Sequence, residues 1–218
     1  MRSSLRLTAL VFFFGGCVFP FAALGNEVGI TKDIPFVDVT HDGVPVRIQR
    51  IQDKENRLVD DFAKTSRPCP PFCIHPMATA PGVETVGELE VLEFLTQEVK
   101  VGKGLLIDAR MPEWYAAETI PGAVSIPFVI FHKDNPNLEN ILQVLGATRS
   151  GNAGWNFSKA RTLILFCNGP WCDQSSRAIK GLLAVGYPAN KLKSYRGGMN
   201  LWRLLGLTTV VPRKAEAP

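Results

Sequence analysis

The chemistry this sequence could perform is concentrated around its cysteines. Cys167 closes the apolar run Thr-Leu-Ile-Leu-Phe at 162–166. After it come Asn168, Gly169, Pro170, Trp171, Cys172, Asp173, Gln174 and Ser175, and then a helical pattern starts. A cysteine at the end of a buried strand and in front of a helix N-terminus faces loop amides and the positive end of a helix dipole. Such a field favours the thiolate, which is the reactive form of cysteine. The same donors would hold an anionic sulfur species or oxyanion formed on it, which is covalent catalysis supported by preorganised dipoles. Cys172, five residues on, leaves several readings open. It is compatible with a structural disulfide to Cys167, or with a resolving thiol that closes onto a Cys167 persulfide or sulfenate. Pro170 and Trp171 read either as packed, rigid loop residues or, for Trp171, as a wall of the pocket.

A second pair, Cys69 and Cys73, lies in Arg-Pro-Cys-Pro-Pro-Phe-Cys-Ile-His, a stretch too rich in proline for regular structure. A disulfide would pin it. Exchange with the 167–175 loop and a metal site with His75 and His41 or His132 are the other readings, but this cysteine spacing is a poor match to zinc sites. No metal is expected. Asp108, at the end of another apolar run, reads as an orienter of backbone amides, because no histidine is evidently paired with it. No glycine-rich phosphate loop or dinucleotide fingerprint appears, so no nucleotide or other cofactor is expected.

These residues need a scaffold. Leu89, Leu92, Leu95 and Val99 recur at helical intervals after Thr85 and Glu88, which stand in capping-box spacing. Residues 105–110 and 162–166 read as buried strands, 120–127 as a turn and strand, and 191–195 as a weak strand. Helices are expected over 111–118, with proline at its start, and over 137–146, 175–186 and 198–206, with Gly186 as a stop for the third. Residues 148–161 read as a polar loop. Before residue 84 the pattern is thinner: a short strand at 44–51, two or three helical turns at 55–65, then the proline-rich segment 67–82. Short apolar strands alternating with helices indicate an α/β domain with a mostly parallel sheet covered on both faces. Ligand sites of such sheets lie at the carboxyl ends of the strands, where Cys167 and Asp108 stand.

The chain has 218 residues, 46% of them hydrophobic, enough for one proper core and a smaller attachment. Its net charge of +4 includes Arg2 and Arg6, without which it is +2. No basic patch with interleaved aromatics occurs, which argues against nucleic acid as a partner. Arg2 and Arg6 precede a strongly apolar stretch that ends in Ala23-Leu24-Gly25, the layout of a secretory signal peptide cleaved before Asn26. A membrane anchor over 7–24 and lipidation at Cys17 are the alternatives. All three place the remainder outside the cytoplasm, periplasmic or secreted, where an even number of cysteines permits disulfides. The membrane is a partner only if the segment is uncleaved or Cys17 carries lipid. The expected organisation is a signal peptide at 1–25, an N-terminal extension at 26–83, the α/β domain at 84–208 and a tail at 209–218.

Two segments resemble one known family. Leu-Leu-Ile-Asp-Ala-Arg-Met-Pro-Glu at 105–113, with the Ile-Pro-Gly-Ala-Val-Ser-Ile-Pro that follows at 120–127, is similar to the front signature of rhodanese-like domains. The stretch from Leu163 through Cys167 to Gly197, Gly198 and Trp202 is similar to the rear one. The resemblance spans about residues 84–208 and implies a three-layer α/β/α domain. It implies that Cys167 is the persulfide-forming nucleophile, with Asp108, Arg110 and Glu113 supporting it. It implies transfer of sulfane sulfur from thiosulfate or a persulfide donor to a thiol or other thiophilic acceptor. Thr119 stands where the family usually has histidine, Gln174 replaces the usual loop arginine, and the loop is longer than the common form and contains Cys172. These departures leave two alternatives in view: a thiol–disulfide protein using Cys167 and Cys172, with periplasmic redox proteins as partners, and a non-catalytic binding domain.

Overall fold

The computed structural model describes residues 27–69, 72–151 and 154–213. The expected signal peptide and Cys17 lie outside them. Five strands form one parallel sheet: β3 (Glu84–Val86), β4 (Gly104–Asp108), β5 (Ala123–Ser125), β8 (Thr162–Phe166) and β9 (Leu192–Tyr195), in the order β3-β9-β8-β4-β5. Helices α3 (Leu138–Val144) and α4 (Gln174–Ala184) cover one face. The other carries α1 (Glu88–Phe94) and α5 (Gly198–Leu204). Strand β8 shows why its sequence does not alternate: Leu163 and Leu165 enter one core, Ile164 and Phe166 the other, and all four are fully buried.

The extension packs on the same body. Strands β1 (Phe36–His41) and β2 (Val44–Gln49) form an antiparallel hairpin. Its turn, Asp42-Gly43, has positive φ at both residues (48° and 74°), the signature of the tight turn that matches strand twist. The first of these strands is not among the sequence expectations, although Asp-Gly was its signal. Ile48 of β2 is fully buried in the core that also holds Trp202.

Three local expectations are corrected. The helix at 55–65 is a single 3₁₀ turn, Asp60–Ala63, whose Phe62 is drawn into the core beside Trp114 while Asn200 Nδ2 donates to its carbonyl at 3.3 Å. Thr85 and Glu88 do not form the capping box. Thr85 lies in edge strand β3, and the helix starts after Gly87, whose N–H donates to the Glu90 carboxylate at 2.9 Å. Pairing with β9 outweighs the local cap. Leu89 is 50% exposed, whereas Val91, Leu92, Phe94 and Leu95 are buried. The helix is rotated to seat Phe94 over Gly104, where an added Cβ would lie 2.5 Å from the ring. The last turn, Leu95–Val99, widens to π-helical form. Within the 148–161 loop a small hairpin pairs β6 (Thr148–Arg149) with β7 (Trp155–Asn156).

The hairpin carries a testable charge effect. His41 is 7% exposed, and its Nδ1 accepts the Gly122 N–H at 3.2 Å, which requires that nitrogen to be unprotonated. Burial pushes its pKa below the ordinary value, against the attraction of Asp42 and with help from Arg213. The unfolded chain therefore binds the proton more readily, so stability rises with pH across this range and falls as pH drops through about 6.5. Urea midpoints between about pH 8 and pH 5 are expected to fall in wild type and to fall less in His41→Gln.

Candidate active site

Cys167 leaves β8 with its backbone held on both sides. Its carbonyl accepts the Met199 N–H at 3.0 Å, and the Asn168 carbonyl accepts the Asn200 N–H at 2.9 Å. The start of α5 thus clamps the loop. Only glycine allows the approach: at Gly198, with φ of 55°, a Cβ would stand 2.3 Å from the Cys167 carbonyl oxygen. Helix α4 begins at Gln174, after Asp173, so its unpaired first-turn N–H groups face back along the loop.

The loop is pinched. Cys172 N–H donates to the Gly169 carbonyl at 2.9 Å, and the Cys167 and Cys172 Cα atoms stand 6.3 Å apart, within disulfide reach. Cys167 is 2% exposed and Cys172 partly exposed. Cys69 and Cys73 are also at disulfide distance, with Cα atoms 4.9 Å apart. Gln174 Oε1 lies 3.8 Å from Cys172 Sγ, an acceptor for that thiol when it is reduced. Ser175 is buried in the first turn of α4.

Beneath the loop lies a buried ionic cluster. Asp108 is fully buried at the end of β4, and Arg110 is 1% exposed. The guanidinium donates to both Asp108 oxygens, from Nε at 2.8 Å and Nη2 at 2.6 Å. The Arg110 backbone N–H donates to the same carboxylate at 3.1 Å. Thr119 Oγ1 completes it with a 2.8 Å bond to Asp108 Oδ2, so the residue in the place of the family's histidine serves this carboxylate. Arg110 Nη1 reaches Asn168 Oδ1 at 3.2 Å, and Nη2 also donates to the Glu118 carbonyl, tying the cluster to the active loop. Glu113 is not part of it. It is exposed on α2 (Pro112–Ala117), while Glu118 sits nearer, bonded to Thr209 Oγ1 at 2.6 Å.

Nothing in the sequence pattern indicates what the extension contributes here. The Arg67 guanidinium lies 4.7 Å from the Trp171 ring centre and 5.0 Å from that of Phe72. His75 N–H approaches the Pro170 carbonyl at 3.4 Å, and Arg196 Nη2 donates to the His75 carbonyl at 2.9 Å. A cleft of about 640 Å³ opens between Phe62, Arg110, Trp114, Glu118 and Arg203. A small cavity that shares Asp61, Phe62 and Trp114 with it reaches Asn168 and Trp171. Proline-rich composition signalled a pinned segment at 67–82 but nothing about where it lands. Arg177 stacks on Phe128 and leaves the loop without a cation of its own.

Comparison with known proteins follows the same outline. The family model for the rhodanese-like domain matches residues 91–205. Among solved structures the chain is similar to a thiosulfate sulfurtransferase from Pseudomonas aeruginosa, with 20% identity and a TM-score of 0.41, over 60% of this chain and 21% of that one. It is also similar to a human single domain sulfurtransferase, with 23% identity and a TM-score of 0.38, over 56% of this chain and 96% of that one. A third is the BH2092 protein from Bacillus halodurans, with 21% identity and a TM-score of 0.40, over 56% and 72% of the two chains. No curated protein matches the sequence.

Proposed function

The chain belongs to the rhodanese-like domain family, and from that premise we propose that it is an exported sulfurtransferase working through a persulfide on Cys167. The carrying observation is the position of Cys167 within the family segment, at the end of β8, clamped by α5 and followed by the N-terminus of α4. The reaction has two transfers. The Cys167 thiolate attacks the outer sulfur of thiosulfate or a persulfide; the donor's S–S bond breaks, and sulfite or a thiolate leaves with the electron pair. A thiolate or other thiophilic acceptor then attacks the outer sulfur of the Cys167 persulfide and restores the Cys167 thiolate. The backbone N–H groups around the loop stabilise the anionic persulfide.

The proximity of Cys172 supports a second outlet. Its thiolate attacks Sγ of the Cys167 persulfide, the terminal sulfur leaves as hydrosulfide after taking up a proton, and the Cys167–Cys172 disulfide forms. The outer sulfur is reduced and the two cysteines are oxidised, so an external dithiol must reduce the disulfide before the next turnover. An oxidised resting pair imposes the same requirement. Export rests on the apolar, arginine-led N-terminus together with two cysteine pairs at disulfide distance.

The test is the intact mass of reduced, desalted protein exposed to thiosulfate or to a low-molecular-weight persulfide. One added sulfur atom, removed by cyanide or thiol, is expected, with Cys167 alkylating faster than Cys172. A protein that takes up no sulfur from either donor, and whose two cysteines alkylate alike, would leave the binding-domain reading instead.

A further inference from the structure

Asn168 to Ser175 contain no lysine or arginine, and Asp173 adds a negative charge. An anionic donor therefore finds no cationic side chain in the loop itself. We propose that the N-terminal extension supplies it: Arg67, with Arg196 of the domain, recognises the oxoanion end of the sulfur donor above residues 168–171. This rests on the sulfurtransferase reading and names the substrate charge that the same site selects.

Four observations carry it. Arg67 is held between the Trp171 and Phe72 rings, and its Nη2 donates to the Asp61 carbonyl. Its Nε is buried without a partner, as is Trp171 Nε1, and both side chains line the cavity at Asn168. His75 Nε2 and Arg196 Nε are likewise buried and unpartnered; the His75 backbone N–H approaches the Pro170 carbonyl, and Arg196 Nη2 donates to the His75 carbonyl. Among the described residues six side-chain nitrogens are in this condition, and four of them belong to Trp171, to Arg67 and His75, which contact Trp171 and Pro170, and to Arg196, which bonds to His75.

The arginine and tryptophan nitrogens among them are donors; buried donors without acceptors are costly, and three beside one loop indicate a missing acceptor rather than scattered packing faults. Neither Arg67 nor Arg196 forms an ion pair among the described residues. The Asp61 carboxylate also lines the small cavity, but Lys64 engages it. Two guanidiniums with unspent donors suit a group with several acceptor oxygens and negative charge, such as the sulfonate end of thiosulfate. The Cys69–Cys73 pair lies between Arg67 and His75 and limits the freedom of the segment that carries them.

Calorimetric titration of reduced Cys167→Ser protein with thiosulfate reads binding without reaction. Arg67→Gln and Arg196→Gln in that background are each expected to weaken binding by roughly tenfold or more, the effect of one charge-assisted contact. Arg67→Lys should fall between Arg67→Gln and the parent. In protein that retains Cys167, Arg67→Gln should lower turnover of thiosulfate far more than turnover of a neutral organic trisulfide. Thiosulfate binding unchanged in both glutamine variants overturns the proposal, as does equal loss with the charged and neutral donors. Arginine-dependent binding in a wild type that transfers no sulfur would leave this inference standing and remove the sulfurtransferase reading.

Discussion

Cys167→Ser is expected to abolish sulfur uptake from thiosulfate and persulfides, because a serine hydroxyl cannot carry the sulfane sulfur. Cys172→Ser should still take up one sulfur atom but lose release of hydrosulfide in the absence of an external thiol. The asymmetry follows from placement. Cys167 is fixed to a buried strand and clamped through its own carbonyl by Met199, whereas Cys172 sits farther along a loop whose nearest backbone tie is the Gly169 carbonyl. The first is presented to the N-terminus of α4 and the second is placed to close onto it. Hydrosulfide assay and intact mass, run side by side on the two variants after reduction, read both halves. Undiminished sulfur uptake by Cys167→Ser, or hydrosulfide release undiminished in Cys172→Ser, would require a different sulfur route.

The largest stability effect is expected at Asp108 and Arg110. Both are buried, and the carboxylate takes four bonds: three from Arg110 and one from Thr119. Asp108→Ala would leave the guanidinium buried with only Asn168 Oδ1 and the Glu118 carbonyl as acceptors. Arg110→Ala would leave an uncompensated carboxylate. Each is expected to cost about 3–5 kcal/mol, the scale for breaking one side of a buried pair. A joint replacement, Asp108→Leu with Arg110→Met, removes both charges and should cost clearly less than the sum of the single losses. Urea denaturation of the three proteins measures this directly. Additive losses would mean that the two side chains contribute by packing and not as an ion pair. Because Arg110 also holds Asn168, the single variants should loosen the loop, seen as faster alkylation of Cys167 in the folded, reduced protein.

The central elements and the candidate nucleophile were legible in the sequence because their signals are local. Thr162–Phe166 is apolar without alternation, as a strand covered on both faces must be, and the turn residues that follow place Cys167 at its end. Gly186 stands where a helix stops and Gly198 where the loop is approached at close range, which no other residue allows as easily. Asp108 and Arg110 were visible at the end of a second buried run, but their bidentate pairing and the service of Thr119 were not. Glu113 illustrates the limit: the motif named it, and the structure leaves it on the exposed side of α2 while Glu118 approaches the cluster.

Contacts between distant segments carry no periodicity, so tertiary structure alone decided them. Thr85 looked like a helix cap until β9 offered its backbone a parallel partner, and Leu89 looked like core until Phe94 found room over Gly104. Residues 55–65 had enough helical character to suggest a helix, yet burial of Phe62 left one 3₁₀ turn. The proline-rich segment was readable as irregular and pinned, but its landing place on Trp171 and Pro170 is set by long-range stacking and by bonds to residues more than 90 positions away in the chain. The sequence therefore determined that Cys167 stands at the end of one buried strand and that Asp108 and Arg110 stand at and just beyond the end of another. Only the folded chain decided that Arg67 of the extension stacks on Trp171 of the loop, because that contact joins segments about a hundred residues apart.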